Sequence, residues 1–135
     1  MSVQRALAAG IRALAVAHAD VQAVFGDPAR IYDQPPSNPV FPYATFARFE
    51  TQPRGAASAD GTEHTITLQV WSRHGGRAEA LDALAALEHA LHNAQPTIDG
   101  GRVIYLFVQS SDVLRAADGL TTQGALQLRA LTEPT

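Results

Sequence analysis

The sequence predicts an α+β fold, with an antiparallel sheet of about four to five strands and two main helices packed on one face. Three patterns support this prediction. Two stretches repeat apolar residues at helical spacing, and several others alternate apolar and polar residues as strands do. The segments follow one another as helix, two strands, strand, helix, strand and strand. This order is typical of α+β domains.

The first helix is predicted over residues 3–18, with Ser2 as its N-cap. Its apolar positions recur three or four residues apart and form one face; they are Val3, Leu7, Ile11 and Leu14. Polar residues interrupt this alanine-rich stretch, and no long apolar run follows it. We therefore expect an amphipathic helix here and no signal peptide or membrane span.

Two short strands are predicted next, over residues 30–33 and 43–51. Four prolines lie between them and keep the chain extended, because proline cannot donate a ladder hydrogen bond. Residues 54–63 are rich in glycine, alanine and serine, which predicts a mobile hairpin loop.

The stretch HTITLQVWSRHGGRAEALDALAALEHALH, residues 64–92, combines a strand with a helix. Ile66, Leu68 and Val70 alternate onto one face of the strand, while Trp71 falls on the other face with Thr67 and Gln69. The helix is predicted over residues 77–93. Its leucines fall within an arc of about 120°; they are Leu81, Leu84, Leu87 and Leu91.

The last third of the sequence predicts two more strands. The run VIYLFVQ, residues 103–109, is almost continuously apolar, which favours a central, well-covered strand. Ser110, Ser111 and Asp112 are interpreted as turn or cap residues, because no Gly-x-Ser-x-Gly pattern surrounds the serines. Asp118-Gly119 predicts a turn before the final strand.

Composition and charge limit the classes of function. The 135 residues suit one domain spanning residues 1–135, and a core rich in alanine would gain from assembly with other copies. The chain has no cysteine, which excludes disulfides and cysteine-based zinc sites. Its formal net charge of −3 lacks the basic surplus of proteins that grip nucleic acid.

The histidines are the strongest candidates for chemistry. His89 and His92 lie three residues apart on the predicted helix, and His64 or Asp82 could supply a third metal ligand. The sequence there is not the His-Glu-x-x-His of metalloproteases, and the simplest interpretation is two surface histidines near a helix C-terminus. No phosphate-binding loop pattern occurs. We therefore predict no catalytic residue, no metal and no cofactor.

Trp71 is the strongest candidate for a contact residue. If the helices cover the opposite face of the sheet, this side chain points outward, where a large aromatic group often anchors an interface. The alternative is that the proline-rich segment folds over it. We predict a subunit interface formed by Trp71, Gln69, Thr67 and Arg73.

Three segments together resemble a known protein family. RIYDQPP followed by FPYATF, the stretch at 64–92 and SDVLRAADGLTTQGALQLRAL are similar in order to the tail terminator, or tail completion, proteins of long-tailed bacteriophages and of gene transfer agents. The resemblance covers nearly the whole chain. One departure is Gln123, where many members of the family would have histidine.

The resemblance implies a virion structural protein without enzymatic activity. Six copies would form a ring on the tail tube, end its polymerisation and meet the head-tail connector or neck protein. DNA would pass through the ring without specific binding. The subunit would be assembled in the bacterial cytoplasm and would reside in the particle tail.

Within that framework, the hairpin segment is predicted to order on docking to the tube or the connector, through Arg54, Asp60 and Glu63. Three alternatives stay open from sequence alone. They are a neck stopper, a tail tube subunit and, in a different class, a small histidine-dependent metal enzyme.

Overall fold

The computed structural model describes residues 2–56 and 59–135 and contains three helices and five strands. The helices are α1 (Val3–Ala17), α2 (Ala19–Phe25) and α3 (Ala78–Leu91). The strands are β1 (Ile31–Tyr32), β2 (Tyr43–Ala56), β3 (Ala59–Ser72), β4 (Gly101–Arg115) and β5 (Thr122–Pro134). The predicted α+β class is confirmed.

The five strands form one sheet in the order β1-β2-β3-β5-β4. Strands β2, β3, β5 and β4 pair antiparallel, as predicted, whereas the two-residue strand β1 pairs parallel to β2. The sheet is therefore mixed, although β1 contributes only the pairs Ile31 with Ala44 and Tyr32 with Thr45.

The helix α1 begins at the predicted cap. Ser2 accepts a hydrogen bond from the backbone N of Arg5 at 3.1 Å, and α1 follows. The imidazole Nδ1 of His18 accepts from the backbone N of Asp20 at 3.2 Å and starts α2, a short third helix. Helix α1 ends at His18, and the same residue is the N-cap of α2.

The core lies between the helices and one face of the sheet. Its largest fully buried side chains come from α1, α2, α3 and all five strands except β2. They are Leu7, Ile11, Phe25, Ile31, His64, Ile66, Leu68, Leu87, Leu91, Leu106, Leu126 and Leu128. Small residues allow the helices to approach the sheet closely. At Gly124 of β5, for example, an added Cβ would lie only 3.1 Å from the side chain of Leu84 on α3.

The expectation that residues 103–109 form a central strand is wrong. They belong to β4, an edge strand, and the central strands are β3 and β5. The run is apolar because Leu106 and Val103 are buried beneath the helices while Tyr105 and Phe107 lie on the other face. The serines and aspartate at 110–112 are also not a turn, because they continue β4 in regular pairing with β5.

Among the described residues, no single helix is long and apolar enough to cross a membrane. The pair α1 and α2 passes by length and composition together, but the two helices meet at an 83° bend. Their apolar side chains Leu7, Ile11, Val21 and Phe25 are fully buried in this domain.

Candidate interaction surface on the open face of the sheet

In the part of the chain that the structure describes, one face of the sheet carries no helix, and it presents the residues that the sequence singled out. Trp71, Gln69 and Thr67 alternate along β3 on this open face, opposite Val70 and Leu68, which are buried beneath the helices. The outward direction predicted for Trp71 is confirmed. Arg73, two residues beyond Trp71, is exposed at the same end of the sheet.

An aromatic cluster forms around Trp71. The Trp71 ring stacks on Tyr43 of β2, with ring centroids 6.2 Å apart and planes at 17°. Tyr43 also contacts Tyr32 at 6.1 Å and Phe41 at 5.2 Å. The indole Nε1 donates to Thr45 Oγ1 at 3.3 Å, so Trp71 is held at its edge and its face stays partly exposed. We refer to Tyr32, Phe41, Tyr43 and Trp71 as the aromatic cluster.

The proline-rich segment does not cover Trp71 completely, and the subunit interface at this residue stays a prediction. The end of this segment, at Phe41, packs beside Tyr43, which is buried, whereas Trp71 keeps part of its surface exposed. Burial still raises the pKa of the Tyr43 hydroxyl, against the opposing charge of Arg73. An aromatic group that is held on its edge and open on its face is suited to packing against a partner.

Arg73 connects the aromatic cluster to the turn between β4 and β5. Its guanidinium Cζ lies 4.5 Å from the centroid of the Phe41 ring, and its Nε donates to Thr121 Oγ1 at 3.1 Å. The Asp118 carboxylate accepts from the backbone of Thr121 and Leu120 at 2.9 Å, which lowers its pKa. The predicted Asp118-Gly119 turn is confirmed, with Gly119 at a φ of 72°.

The centre of the open face is polar and mixes neutral side chains with paired charges of both signs. A shallow groove of about 250 Å³ runs across all four long strands here. It is lined by Glu50, Gln52, Glu63, Thr65, Gln109, Gln127 and Arg129. Amide and hydroxyl groups dominate this strip, together with Thr67 and Gln69, so the surface is hydrated and offers no concentrated charge.

The segment predicted to be a mobile loop is largely a paired hairpin. In the described residues, β2 extends to Ala56 and β3 starts at Ala59, and the register pairs Arg54 with Gly61 and Gly55 with Asp60. The remainder of the predicted loop, residues 57–58, lies outside the described residues. The sequence predicted a loop because the small residues at 55–61 have low strand propensity. The pairing of the flanking residues in β2 and β3 nevertheless continues into this segment.

Two of the predicted docking residues hold the hairpin in place. Glu63 of β3 pairs with Arg54 of β2 at 3.1 Å and with Arg129 of β5. Arg54 also donates to the Tyr105 hydroxyl of β4 at 3.2 Å. These contacts tie four strands together on the open face. Asp60 is exposed near the end of the hairpin.

His64 is a buried histidine whose role the sequence did not reveal. Its side chain is fully buried on the helix-facing side of β3, with Nδ1 3.0 Å from Thr51 Oγ1 and Nε2 2.9 Å from Thr132 Oγ1. The ring meets Phe49 edge-on at 5.8 Å. Burial lowers the pKa of His64 below its ordinary value of 6.5, since a buried imidazolium loses hydration.

The structure does not bring together the histidines of the metal hypothesis. His64 bonds two threonines within the sheet, His89 of α3 pairs with Asp20 of α2 at 3.2 Å, and His92 accepts the backbone N–H of Val108 at 3.0 Å. Among residues 2–56 and 59–135, no group of three or more potential ligands lies close enough to hold a metal ion.

The depressed pKa of His64 predicts a loss of stability in mild acid. Above about pH 6.5 the His64 imidazole is neutral in both the folded and the unfolded chain. Below this pH the unfolded chain binds a proton at His64, whereas burial disfavours protonation of His64 in the folded chain. The urea midpoint of the wild-type chain should therefore fall between about pH 7.5 and about pH 5.5. In His64→Gln, which keeps hydrogen-bonding groups but cannot titrate, the fall should be smaller.

His89→Gln is the matched control, since it removes an exposed histidine. If His64→Gln loses as much stability over this pH range as the wild-type chain does, His64 is not the group responsible.

A model of the family described as Tail completion protein gp17 matches residues 9–133. The chain belongs to this family. A solved structure, "Virion of native gene transfer agent (GTA) particle", contains a chain with 25% identity and a TM-score of 0.89, and the match covers 98% of each chain. The comparison with curated proteins finds no match.

These findings confirm the resemblance read from the sequence. The chain is a structural protein of the tail of a phage or phage-like particle. Its open face, its aromatic cluster and its projecting hairpin are therefore considered as surfaces for assembly.

Proposed function

We propose that six copies of this chain close into a ring that caps the tail tube, ends its polymerisation and forms the surface that meets the head. The observation that supports this most directly is the match of almost the entire chain to a chain of a gene transfer agent virion. Such a ring acts through its shape, and the proposed role requires no catalysis and no cofactor.

A closed ring needs a heterologous contact, in which one patch of a subunit meets a different patch of the next. The open face supplies a first patch in Trp71, Gln69, Thr67 and Arg73. Trp71 has the properties of an anchor, because its ring is held by Tyr43 and Thr45 before any partner arrives. A preordered aromatic group loses little conformational entropy on binding.

The hairpin supplies a second contact, directed toward the tube or the connector. The last β3–β5 pair is Thr62 with Thr132, so the hairpin beyond it is held by β2–β3 pairing within the sheet. Arg54 and Glu63 stiffen its base, and Asp60 is exposed further out. We assign these three residues to docking, with the first two setting the angle of the hairpin.

The charge of the chain agrees with a channel for DNA. Six copies of a chain with a formal charge of −3 carry −18, and a ring of this sign does not hold phosphates tightly. DNA would then pass without specific binding.

The ring is tested by measuring the mass of the assembled species, both for the purified chain and for the chain bound to isolated tail tubes. Six copies of 14.3 kDa amount to about 86 kDa, and the expected particle is a closed ring of that mass. Open-ended polymers would instead identify a tube subunit. A chain that stays monomeric free and on tubes would contradict the ring.

A further inference from the structure

Two edges of the sheet carry stretches without a strand partner. On β2, strand β1 covers the outer side at Ala44 and Thr45 only, and Pro53 cannot donate from its nitrogen. This leaves residues 46–52 of β2 open in the described part of the chain. We call them the β2 window.

The opposite edge has a window of the same length. On the outer side of β4, Leu106 accepts from the backbone N of Asn93 at 2.9 Å and Val108 donates to His92. The strand then continues through residues 109–115 with no strand beyond it in the described residues. We call these residues the β4 window; from Ser110 onward they pair regularly with β5.

The β4 window has features that edge strands usually avoid. It contains no proline, and the whole chain contains no lysine, the residue that most often protects a free edge. Leu114 is 52% exposed, and Val113 is half-buried against the core. An uncovered edge strand presents unpaired backbone N–H and C=O groups and is a template for pairing with another strand.

We propose that the β2 window of one copy pairs antiparallel with the β4 window of the next copy, so that the sheet continues from subunit to subunit. This contact rests on the proposed ring and adds pairing between strand edges to the open-face patch around Trp71. The two windows lie at opposite edges of one sheet, so the contact is heterologous.

The strand directions permit this pairing around a ring. The long strands β2, β3, β5 and β4 alternate in direction, so β4 runs opposite to β2. In copies related by rotation about an axis along the strands, β4 of one copy therefore meets β2 of the next in antiparallel orientation. Because the alternating strands are even in number, every further junction repeats the same geometry.

One pair of side chains is complementary in charge across the two windows, and Arg48 of this pair also contacts Glu50 of its own copy at 2.8 Å. Arg48 in the β2 window and Asp112 in the β4 window both lie on the open face. Within one copy, the register places Arg48 level with Ser110, so a stagger of about two residues sets Arg48 opposite Asp112. Such a stagger is normal where a sheet curves and closes.

The helix-facing side of the β2 window has room for the incoming strand. A groove of about 550 Å³ lies between α1 and β2, with Phe46 and Phe49 on the strand side and Ala8 and Ala9 on the helix. An added strand would turn alternate side chains into this groove. Those of the β4 window are Ser111 and Val113, which are small enough to enter it and would cover Phe46 and Phe49.

The test exchanges the two charges and follows assembly of the full-length chain by its mass in solution and on tail tubes. Arg48→Glu and Asp112→Arg should each weaken the association of neighbouring copies about tenfold, because like charges then face each other. The double variant should regain most of the loss. Arg77→Glu makes the same charge change at the start of α3, away from both edges, and should have no effect.

A cross-linking measurement uses the absence of native cysteine. Arg48→Cys and Asp112→Cys chains should form a disulfide when mixed, whereas either alone should not, since like edges do not meet. Rings that assemble normally in both charge-reversed variants would overturn the edge pairing and leave the ring in place. Failure of the wild-type chain to assemble, free or on tubes, would overturn the ring and this contact together.

Discussion

Particles assembled without this chain are expected to carry tail tubes of uncontrolled length, with few heads attached. The physical reason is that a tube subunit adds to an open end as long as that end presents its binding surface, and a closed ring removes this surface. Tail lengths would then spread over a broad range instead of one value. Electron microscopy of particles from cells that lack the gene measures this directly.

Resupply of the wild-type chain in the same cells is the control, and it should restore both tail length and head attachment. Particles with tails of normal length joined to heads in the absence of the chain would contradict the terminator role. Tails of normal length without heads would instead assign the chain to head joining alone, which is the role of a neck stopper.

Shortening the β2–β3 hairpin is expected to weaken docking strongly while leaving the fold and the ring intact. In the proposed variant, residues 55–60 are replaced by Asn-Gly, a sequence that favours a tight two-residue turn between Arg54 and Gly61. The ion pair of Arg54 with Glu63 is kept. Binding to isolated tubes should fall about tenfold or more, the effect of losing one strong contact.

Asp60→Arg is the companion variant, because it keeps the length of the hairpin and reverses one exposed charge. If Asp60→Arg weakens binding as much as the shortened hairpin does, the charge of Asp60 determines docking. If this variant binds normally, the shape of the hairpin determines docking. Loss of folding in the shortened variant, seen in urea unfolding, would show that the hairpin is structural. Full binding by a folded, shortened chain would refute the docking role.

Local sequence pattern is sufficient to predict features that depend only on neighbouring residues. The alternation of Ile66, Leu68 and Val70 predicted both the strand and the outward direction of Trp71, because the side-chain period of a strand is two residues. The leucine spacing predicted α3 for the same kind of reason. The three segments resembling a tail protein also identified the family before any fold was known.

Other features depend on which strands become neighbours, and local pattern does not contain that information. The apolar run at residues 103–109 indicated a central strand, yet β4 lies at an edge because β5 returns between it and β3. The same run is apolar on both faces of β4. Val103 and Leu106 belong to the core, while Tyr105 and Phe107 contact each other on the open face. Position in a sheet is set by long-range pairing, which no short window of sequence records.

The features of the candidate sites also fall into those that sequence pattern predicts and those that depend on the folded structure. By itself, the sequence determined the fold class, the exposed face that carries Thr67, Gln69 and Trp71, and the lack of a recognisable catalytic motif, since each follows from periodicity or residue type. Only the tertiary structure decided that His64 is buried between two threonines, that Glu63 joins Arg54 to Arg129, and that two open windows lie at opposite edges. Those arrangements join residues far apart in the chain, and their geometry exists only once the sheet has formed.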